Sequence, residues 1–230
     1  MDRSSPDVAE PRDEHADLSR PVIIDSGTRP WKPDIQHNRS RRILARGGTE
    51  PQWTTGLVLV QGGGGMPSHA HPHGAEIYVL AGELNDEHGE YRWGTYIRNP
   101  HGFRHASFSY EGCRFLFLDG QVTLPDQERV VVDSGELLWR LTDQPGVERK
   151  LLYAQPAGRE RVELQRWAEG TRVDPGAAAE GVEIYVLGGE LNAGPAVLGE
   201  GVWLRFPAAH VPEFHATRGC TLFVKRGHLP

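Results

Sequence analysis

The chain contains the same sequence pattern twice, and this repetition limits its fold more than any other feature. The segment VIIDSGTRPW at 22–31 returns as VVVDSGELLW at 130–139. The segment AEIYVLAGELN at 75–85 returns as VEIYVLGGELN at 182–192, so that the two matches keep the same spacing to within one position. Matches that keep nearly one spacing along the whole chain indicate a tandem duplication. We therefore expect two domains with the same fold along the chain.

The repeat sets the domain boundaries that we predict. The first domain covers residues 21–125 and the second covers 126–230. Residues 1–20, MDRSSPDVAEPRDEHADLSR, precede the repeat and are rich in charged and polar residues. Such a segment has too little apolar surface to bury for it to become ordered. We therefore expect a disordered acidic tail before the two domains.

Each repeat has the pattern of a β-protein. Short runs rich in Val, Ile, Leu, Tyr and Phe, such as TTGLVLV, EIYVLAGEL and CRFLFL, alternate with turn residues. The chain has 28 Gly and 17 Pro, and no long stretch shows the 3.6-residue apolar period of a helix. Short strands between regular turn signals are typical of β-sandwiches and barrels. We therefore predict an all-β fold with one barrel or sandwich in each repeat.

Histidines cluster before the strand-like run of the first repeat, in the segment GGGMPSHAHPHGAEIYVLAG at 63–82. His69 and His71 are two positions apart, so on a strand their rings would lie on the same face. His105 follows further along, in NPHGFRHA. Imidazole is a preferred ligand of first-row metals, and three histidines leave coordination positions open. The spacing predicts a metal site in the first repeat.

These residues resemble the two sequence motifs of the cupin family. The first motif reads glycine, five residues, His-x-His, three or four residues, glutamate, six residues, glycine; the second reads glycine, five residues, Pro-x-Gly, two residues, histidine. In this chain the first motif is held by Gly63, His69, His71, Glu76 and Gly82. The second is held by Gly94, Pro100, Gly102 and His105, with every interval kept. The chain is therefore identified as a member of the cupin superfamily with two cupin repeats, a bicupin.

Within the cupins, the segment NDEHGEYRWGTYIRNPHGFRHASFSYEGC is similar to the cupin domain of ChrR-type anti-sigma factors, and the resemblance extends over about residues 22–225. It implies two tandem double-stranded β-helix (jelly-roll) barrels. It also implies one divalent metal ion per chain, most readily Fe(II) or Zn(II), in the mouth of the N-terminal barrel. The ligands that the resemblance implies are His69, His71, Glu76 and His105.

Glu76 departs from the family pattern by one position. In the family the glutamate lies six residues before the closing glycine, which here is the place of Ala75. On an unbroken strand Ala75 shares the face of His69 and His71, whereas Glu76 faces the opposite way. A bulge at Gly74 would turn Glu76 inward. Without one, the site has three histidines, or His73 replaces the carboxylate.

The second repeat lacks the metal motif. Gly176, Ala178 and Pro212 stand where the first repeat has its three histidines. We therefore expect a degenerate cupin that binds no metal and covers the edges of the first barrel. A small-molecule site without metal in this barrel is an alternative.

Two functions remain open at this level. Three neutral histidines would leave room on Fe(II) for a bidentate enol and for O2, which favours a non-haem dioxygenase acting on a small enol, diketone or aromatic compound. The ChrR resemblance favours instead a zinc-binding sensing or regulatory cupin that binds a small-molecule effector and turns nothing over. Metal identity and oxygen consumption distinguish the two.

The composition excludes several classes of partner. The net charge of −6 gives no basic surface for nucleic acid or for anionic membranes. The sequence has no apolar run long enough to span a bilayer and no signal-peptide pattern, so we expect a cytoplasmic protein. Cys113 and Cys220 are expected to be buried free thiols, with a disulfide as the alternative. Cupins often dimerise through barrel edges, so a homodimer is an alternative, although the duplication could already supply that contact.

Overall fold

The computed structural model describes residues 13–48, 52–123, 127–156, 158–173 and 180–229. Within these ranges the regular structure consists of β-strands and four short 3-10 turns, without an α-helix. The strands of the first repeat are β1 (Val22–Asp25), β2 (Lys32–Asp34), β3 (Arg39–Gly47), β4 (Trp53–Gln61), β5 (Gly65–His71), β6 (Ala75–Asp86), β7 (Gly89–Arg92), β8 (Thr95–Asn99), β9 (Phe103–Phe108) and β10 (Gly112–Asp119).

The second repeat has the same plan. Its strands are β11 (Val130–Asp133), β12 (Arg140–Leu141), β13 (Val147–Ala154), β14 (Arg161–Trp167), β15 (Arg172–Val173), β16 (Val182–Ala193), β17 (Ala196–Gly199), β18 (Val202–Phe206) and β19 (Phe214–Arg226). The 3-10 turns are Ser26–Thr28, Ile35–His37, Ser134–Glu136 and Ala208–His210. The predicted all-β fold with two tandem cupin barrels is confirmed.

In the first barrel a large sheet, in the order β11-β8-β6-β10-β4-β3-β2, faces a smaller layer formed by β5, β9, β7 and the end of β6. The long strand β6 belongs to both layers, because it pairs with β8 along its first half and with β7 and β9 along its second half. The two halves of β6 meet near Gly82, which has the left-handed φ of +70° and pairs with Cys113 beside a register shift. A Cβ at this position would collide with the Gly112 carbonyl oxygen, so only glycine fits. Gly189 has the same place and conformation in the second repeat, with φ +82°.

The two repeats exchange their first strands. β1 pairs antiparallel with β18 of the second barrel, and β11 pairs antiparallel with β8 of the first. An apolar core therefore spans both repeats, and it includes Tyr78, Leu116, Tyr185, Trp203 and Phe223. The sheets thus do not divide where the sequence repeat divides.

A buried group of charged residues lies within this core, between the barrels. Lys225 of the second repeat forms ion pairs with Glu76 and with Glu160, the latter at 2.9 Å. Arg98 of the first repeat lies 3.0 Å from Glu76 and 2.8 Å from Glu160. All four side chains are 0 or 1% exposed. Two positive and two negative charges thus compensate each other across the boundary between the repeats.

The described part of the N-terminal segment is attached to the barrels. Glu14 exchanges two backbone hydrogen bonds with Arg46, at 2.9 and 2.8 Å. The guanidinium of Arg205 donates a hydrogen bond to the His15 carbonyl oxygen at 2.7 Å. The segment 13–20, predicted as part of a disordered tail, therefore contacts both repeats, by a backbone bridge at Arg46 and by the buried guanidinium of Arg205. Residues 1–12 lie outside the described residues.

Two further observations concern burial and the membrane. Cys113 and Cys220 are buried free cysteines, as expected, and burial raises the pKa of each thiol to about 11. In the part of the chain that the structure describes, no helix has the length and apolar character needed to cross a bilayer.

Candidate metal centre

β5 and β9 bring three histidines together in the first barrel. The two strands pair antiparallel, so that His69 lies directly opposite His105, and His71 follows two positions later on the same face. The ring centroids of the three histidines are 4.7 to 5.3 Å apart. One ligand nitrogen from each lies within 4.8 Å of the others. The structure therefore brings the predicted histidines together.

Each of these imidazoles has a hydrogen-bond acceptor at Nδ1. The acceptor is Asp119 Oδ1 at 2.7 Å for His71, Asp86 Oδ2 at 3.2 Å for His105, and the Pro67 carbonyl oxygen at 2.9 Å for His69. An acceptor at Nδ1 holds the proton there and leaves the lone pair on Nε2.

In that tautomer the Nε2 lone pairs of His71 and His105 face each other. The Nε2 atoms of His71 and His105 are only 3.2 Å apart. Two lone pairs at that distance repel each other unless a cation lies between them, so the donor set fits a divalent metal ion. Burial lowers the pKa of His69, which favours the neutral imidazole that a metal requires.

Asp86 is held ionised beneath His105. Burial alone would raise its pKa, but hydrogen bonds from His105 and Tyr91 and the charge of Arg129 hold the pKa far below its usual range. Arg129 Nη2 lies 2.8 Å from Asp86 Oδ2. Burial and the bond to Asp86 raise the pKa of Tyr91 to about 12. Because Arg129 belongs to the second repeat, that repeat supports the site of the first.

The histidines open into a cavity of about 310 Å³ inside the first barrel. Its apolar wall comes from the large sheet and is formed by Val58, Ile77, Phe115 and Phe117. Its polar side includes Arg39 and Arg41 on β3. Arg39 is paired with Asp34 at 2.9 Å, whereas Arg41 is exposed and has no ion pair with any described residue. The size and the lining suit a small apolar molecule that carries a negative group.

Glu76 is not part of this group, which corrects its assignment as a ligand. Its carboxylate is fully buried on the other face of β6, where it pairs with Arg98 and Lys225. β6 pairs regularly with β8 at this point, so Ala75 faces the cavity and Glu76 faces away. Gly74 closes a turn, with its N–H bonded to the His71 carbonyl oxygen at 3.0 Å, and forms no bulge.

His73 also lies outside the three-histidine group among the described residues. Its ring centroid is 5.8 Å from that of His101, which bonds to the Val122 carbonyl oxygen through Nε2 at 2.7 Å. In the second repeat, Pro212 is described and offers no donor, while Gly176 and Ala178 lie outside the described residues.

Sequence reasoning missed the acceptors behind the histidines. Asp119 was detectable, because it shares the alternation of Phe115 and Phe117 on β10 and therefore the cavity face. No sequence pattern indicated Asp86 or Arg129. Asp86 ends β6 at the turn to β7, and Arg129 directly precedes the exchanged strand β11, so only the fold brings the two side chains together.

A jelly-roll barrel with a His-x-His strand and a third histidine on the facing strand defines a cupin, and its duplication defines a bicupin. The sequence model of the ChrR cupin-like domain matches residues 19–123 and again residues 127–230. The chain belongs to this family. No curated protein matches it significantly.

Solved structures with the same fold are distant in sequence. A protein from Nostoc punctiforme described as a "putative dioxygenase" has a TM-score of 0.74 at 19% identity, over 92% of this chain and 84% of that chain. The bacterial pirin of Escherichia coli in complex with nickel(II) has a TM-score of 0.63 at 14% identity, over 90% of this chain and 98% of that chain. An oxalate decarboxylase formate complex from Lactobacillus farciminis has a TM-score of 0.62 at 9% identity, over 91% of this chain and 86% of that chain. At these identities the likeness shows the fold alone.

Proposed function

We propose that the chain is a metal-dependent oxidoreductase of the non-haem Fe(II) dioxygenase type, acting on a small enol, diketone or aromatic compound. The observation that carries this proposal is the convergence of three imidazole lone pairs at the wall of a largely apolar cavity. Fe(II) bound there would supply a Lewis acid for an enolate and an electron source for O2. A neighbour described as a dioxygenase supports the class of reaction without identifying the substrate.

The residues of this chain have separable roles in the proposal. His69, His71 and His105 would hold the metal, and Asp119 would fix the ring of His71 through Nδ1. The apolar wall would pack against the substrate and exclude water, which strengthens electrostatic interactions in the site. Arg41 would attract the negative group of the substrate from the polar side of the cavity.

The ChrR family match supports a second candidate, a sensing cupin that binds zinc and a small-molecule effector without turnover. Both candidates use the same three histidines, so metal identity and turnover must decide between them. The cavity beside the histidines has room for an organic substrate and equally for an organic effector, so it serves both candidates. A cytoplasmic location and homodimerisation stay predictions.

The test begins with metal content. Purified wild-type protein is expected to hold about one metal ion per chain, and His69→Ala and His71→Ala are expected to lose it. His210→Ala is the matched control, because His210 is an exposed histidine of the second repeat. Unchanged metal content in both His69→Ala and His71→Ala would overturn the metal site itself.

The reaction is tested on the Fe(II)-loaded protein in an oxygen electrode, with acetylacetone and catechol as probes. Oxygen consumption that depends on the probe and disappears in His71→Ala supports the dioxygenase. Tightly bound zinc in the native protein, with no oxygen consumption after Fe(II) loading, supports the sensor and overturns the dioxygenase.

A further inference from the structure

The second barrel contains a cavity in the place that the metal cavity occupies in the first. Its volume is also about 310 Å³. Val224 lines it where Phe117 lines the first cavity, and Arg149 lines it where Arg41 does. The duplication has therefore kept the space inside the second barrel although the metal motif is absent.

Strand register identifies the residue that replaced Asp119. In the first barrel Asp119 lies between Thr54 on β4 and Ala75 on β6. In the second barrel Arg226 lies between Arg161 on β14 and Val182 on β16. All three positions of the first barrel are related to those of the second by the same shift along the sequence. The second barrel thus has a guanidinium where the first has the carboxylate that accepts from His71, and a second guanidinium at the opposed position.

This difference places two arginines at directly opposed positions, Arg161 exposed to solvent and Arg226 partly buried. Arg161 and Arg226 are directly opposite each other on neighbouring antiparallel strands, and both line the cavity. Like charges in that position destabilise a sheet unless something compensates them. Neither residue forms an ion pair with a described residue, and Arg226 Nε is buried without a hydrogen-bond partner among them.

The nearby carboxylates form no ion pair with Arg161 or Arg226 among the described residues. Glu163 is already engaged, by Arg149 Nη1 at 3.0 Å and by the Gln165 amide at 2.8 Å. Glu180 lines the cavity but makes no ion pair within the described part of the chain. Burial lowers the pKa of Arg226, against the opposing effect of Glu163 and Glu180. The pair therefore lacks a bonded counter-charge.

We infer that the second barrel binds a small molecule through an oxyanion, a carboxylate or a phosphate, held between Arg161 and Arg226. Guanidinium groups present parallel N–H donors that match both kinds of oxyanion. The cavity has room for a small organic anion, and Gln165 adds a polar group to its wall. The two barrels would thus hold ligands of opposite charge at equivalent places in the fold.

The test is calorimetric titration of the full chain, before and after removal of metal, with succinate, inorganic phosphate and the uncharged succinamide. We expect succinate or phosphate to bind with a Kd below about 1 mM and succinamide not to bind. Arg161→Gln and Arg226→Gln are each expected to weaken binding by about tenfold or more. Arg218→Gln, at an exposed arginine of the same strand β19, is the matched control and should bind as the wild type does.

Thermal melting separates a binding role from a structural one. Without anion, Arg161→Gln is expected to melt at or above the wild-type temperature, because it relieves repulsion from Arg226. A lower melting temperature for this variant would overturn the inference. So would absence of saturable binding of both anions up to about 10 mM. Binding that is lost in His71→Ala but kept in Arg226→Gln would also overturn it, since the anion would then lie at the metal centre.

Discussion

Lys225→Met is the substitution that best tests how the two barrels hold together. The Lys225 ammonium is fully buried and pairs with Glu76 and Glu160. Burial opposes its charge, but these two carboxylates raise its pKa above the usual value. Methionine keeps most of the length of the side chain and removes the charge. One net negative charge then remains in a group of residues that water does not reach.

The size of the effect follows from that uncompensated charge. Removing one partner of a buried ion pair costs about 3–5 kcal/mol. For a chain of this length each kcal/mol changes the melting temperature by about 2–4 °C, so we expect a fall of about 6–20 °C. Urea unfolding followed by tryptophan fluorescence measures the free energy directly. Arg140→Met, at an exposed arginine of β12, is the control and should change stability by about 0.5 kcal/mol or less.

Charge, rather than packing, should account for the loss. The double variant Lys225→Met, Glu76→Gln restores neutrality and leaves Arg98 paired with Glu160. We expect it to recover more than half of the lost free energy, a coupling that only interacting residues show. A loss below about 1 kcal/mol in the single variant, or a double variant no more stable than the single one, would refute this reasoning.

Three further predictions concern other parts of the molecule. Asp119→Asn should weaken metal binding by about 10–100-fold in competition with a chelator, because Nδ1 of its histidine partner loses a charged acceptor; equal affinity would contradict the role given to it. Cys113 and Cys220 should resist a thiol reagent at pH 7 and react only in denaturant, since burial raises the pKa of both; rapid labelling of the native chain would disprove this. Gly82→Ala should lower the free energy of unfolding by more than about 1 kcal/mol, because φ at this position is positive and the added Cβ meets a backbone oxygen. Gly63→Ala is the control: φ is also positive there, but the added Cβ meets no atom within 4 Å, so this variant measures the cost of positive φ alone.

Local pattern was enough to predict most of the candidate site. The two-residue period of strands placed His69 and His71 on one face, and the structure brings both to His105. Extending the same period to Ala75 assumed an unbroken strand, whereas a turn at Gly74 separates β5 from β6; Ala75 faces the cavity because it alternates with Ile77 within β6. The family motif pointed to the glutamate, but strand alternation decided its direction because no bulge interrupts the pairing.

Contacts between distant segments could not be predicted in this way. The first strands of the two repeats have nearly the same sequence, so nothing in 22–31 or 130–139 indicates which sheet each one joins. The ion pair between Lys225 and Glu76 likewise depends on how the two barrels pack against each other. The replacement of Asp119 by Arg226 could have been read from the spacing of the repeat, but its meaning required the register of the neighbouring strands.

The exchange of β1 and β11 has a thermodynamic consequence. A barrel that has lost its borrowed strand exposes a sheet edge, so neither barrel can open without damaging the other. The strands pair as they would in a strand-swapped homodimer, but both partners belong to one polypeptide. A ligand that binds either barrel therefore stabilises the unfolding unit as a whole, by an amount that grows with the logarithm of its concentration. Two sites with unlike chemistry would then share one melting transition.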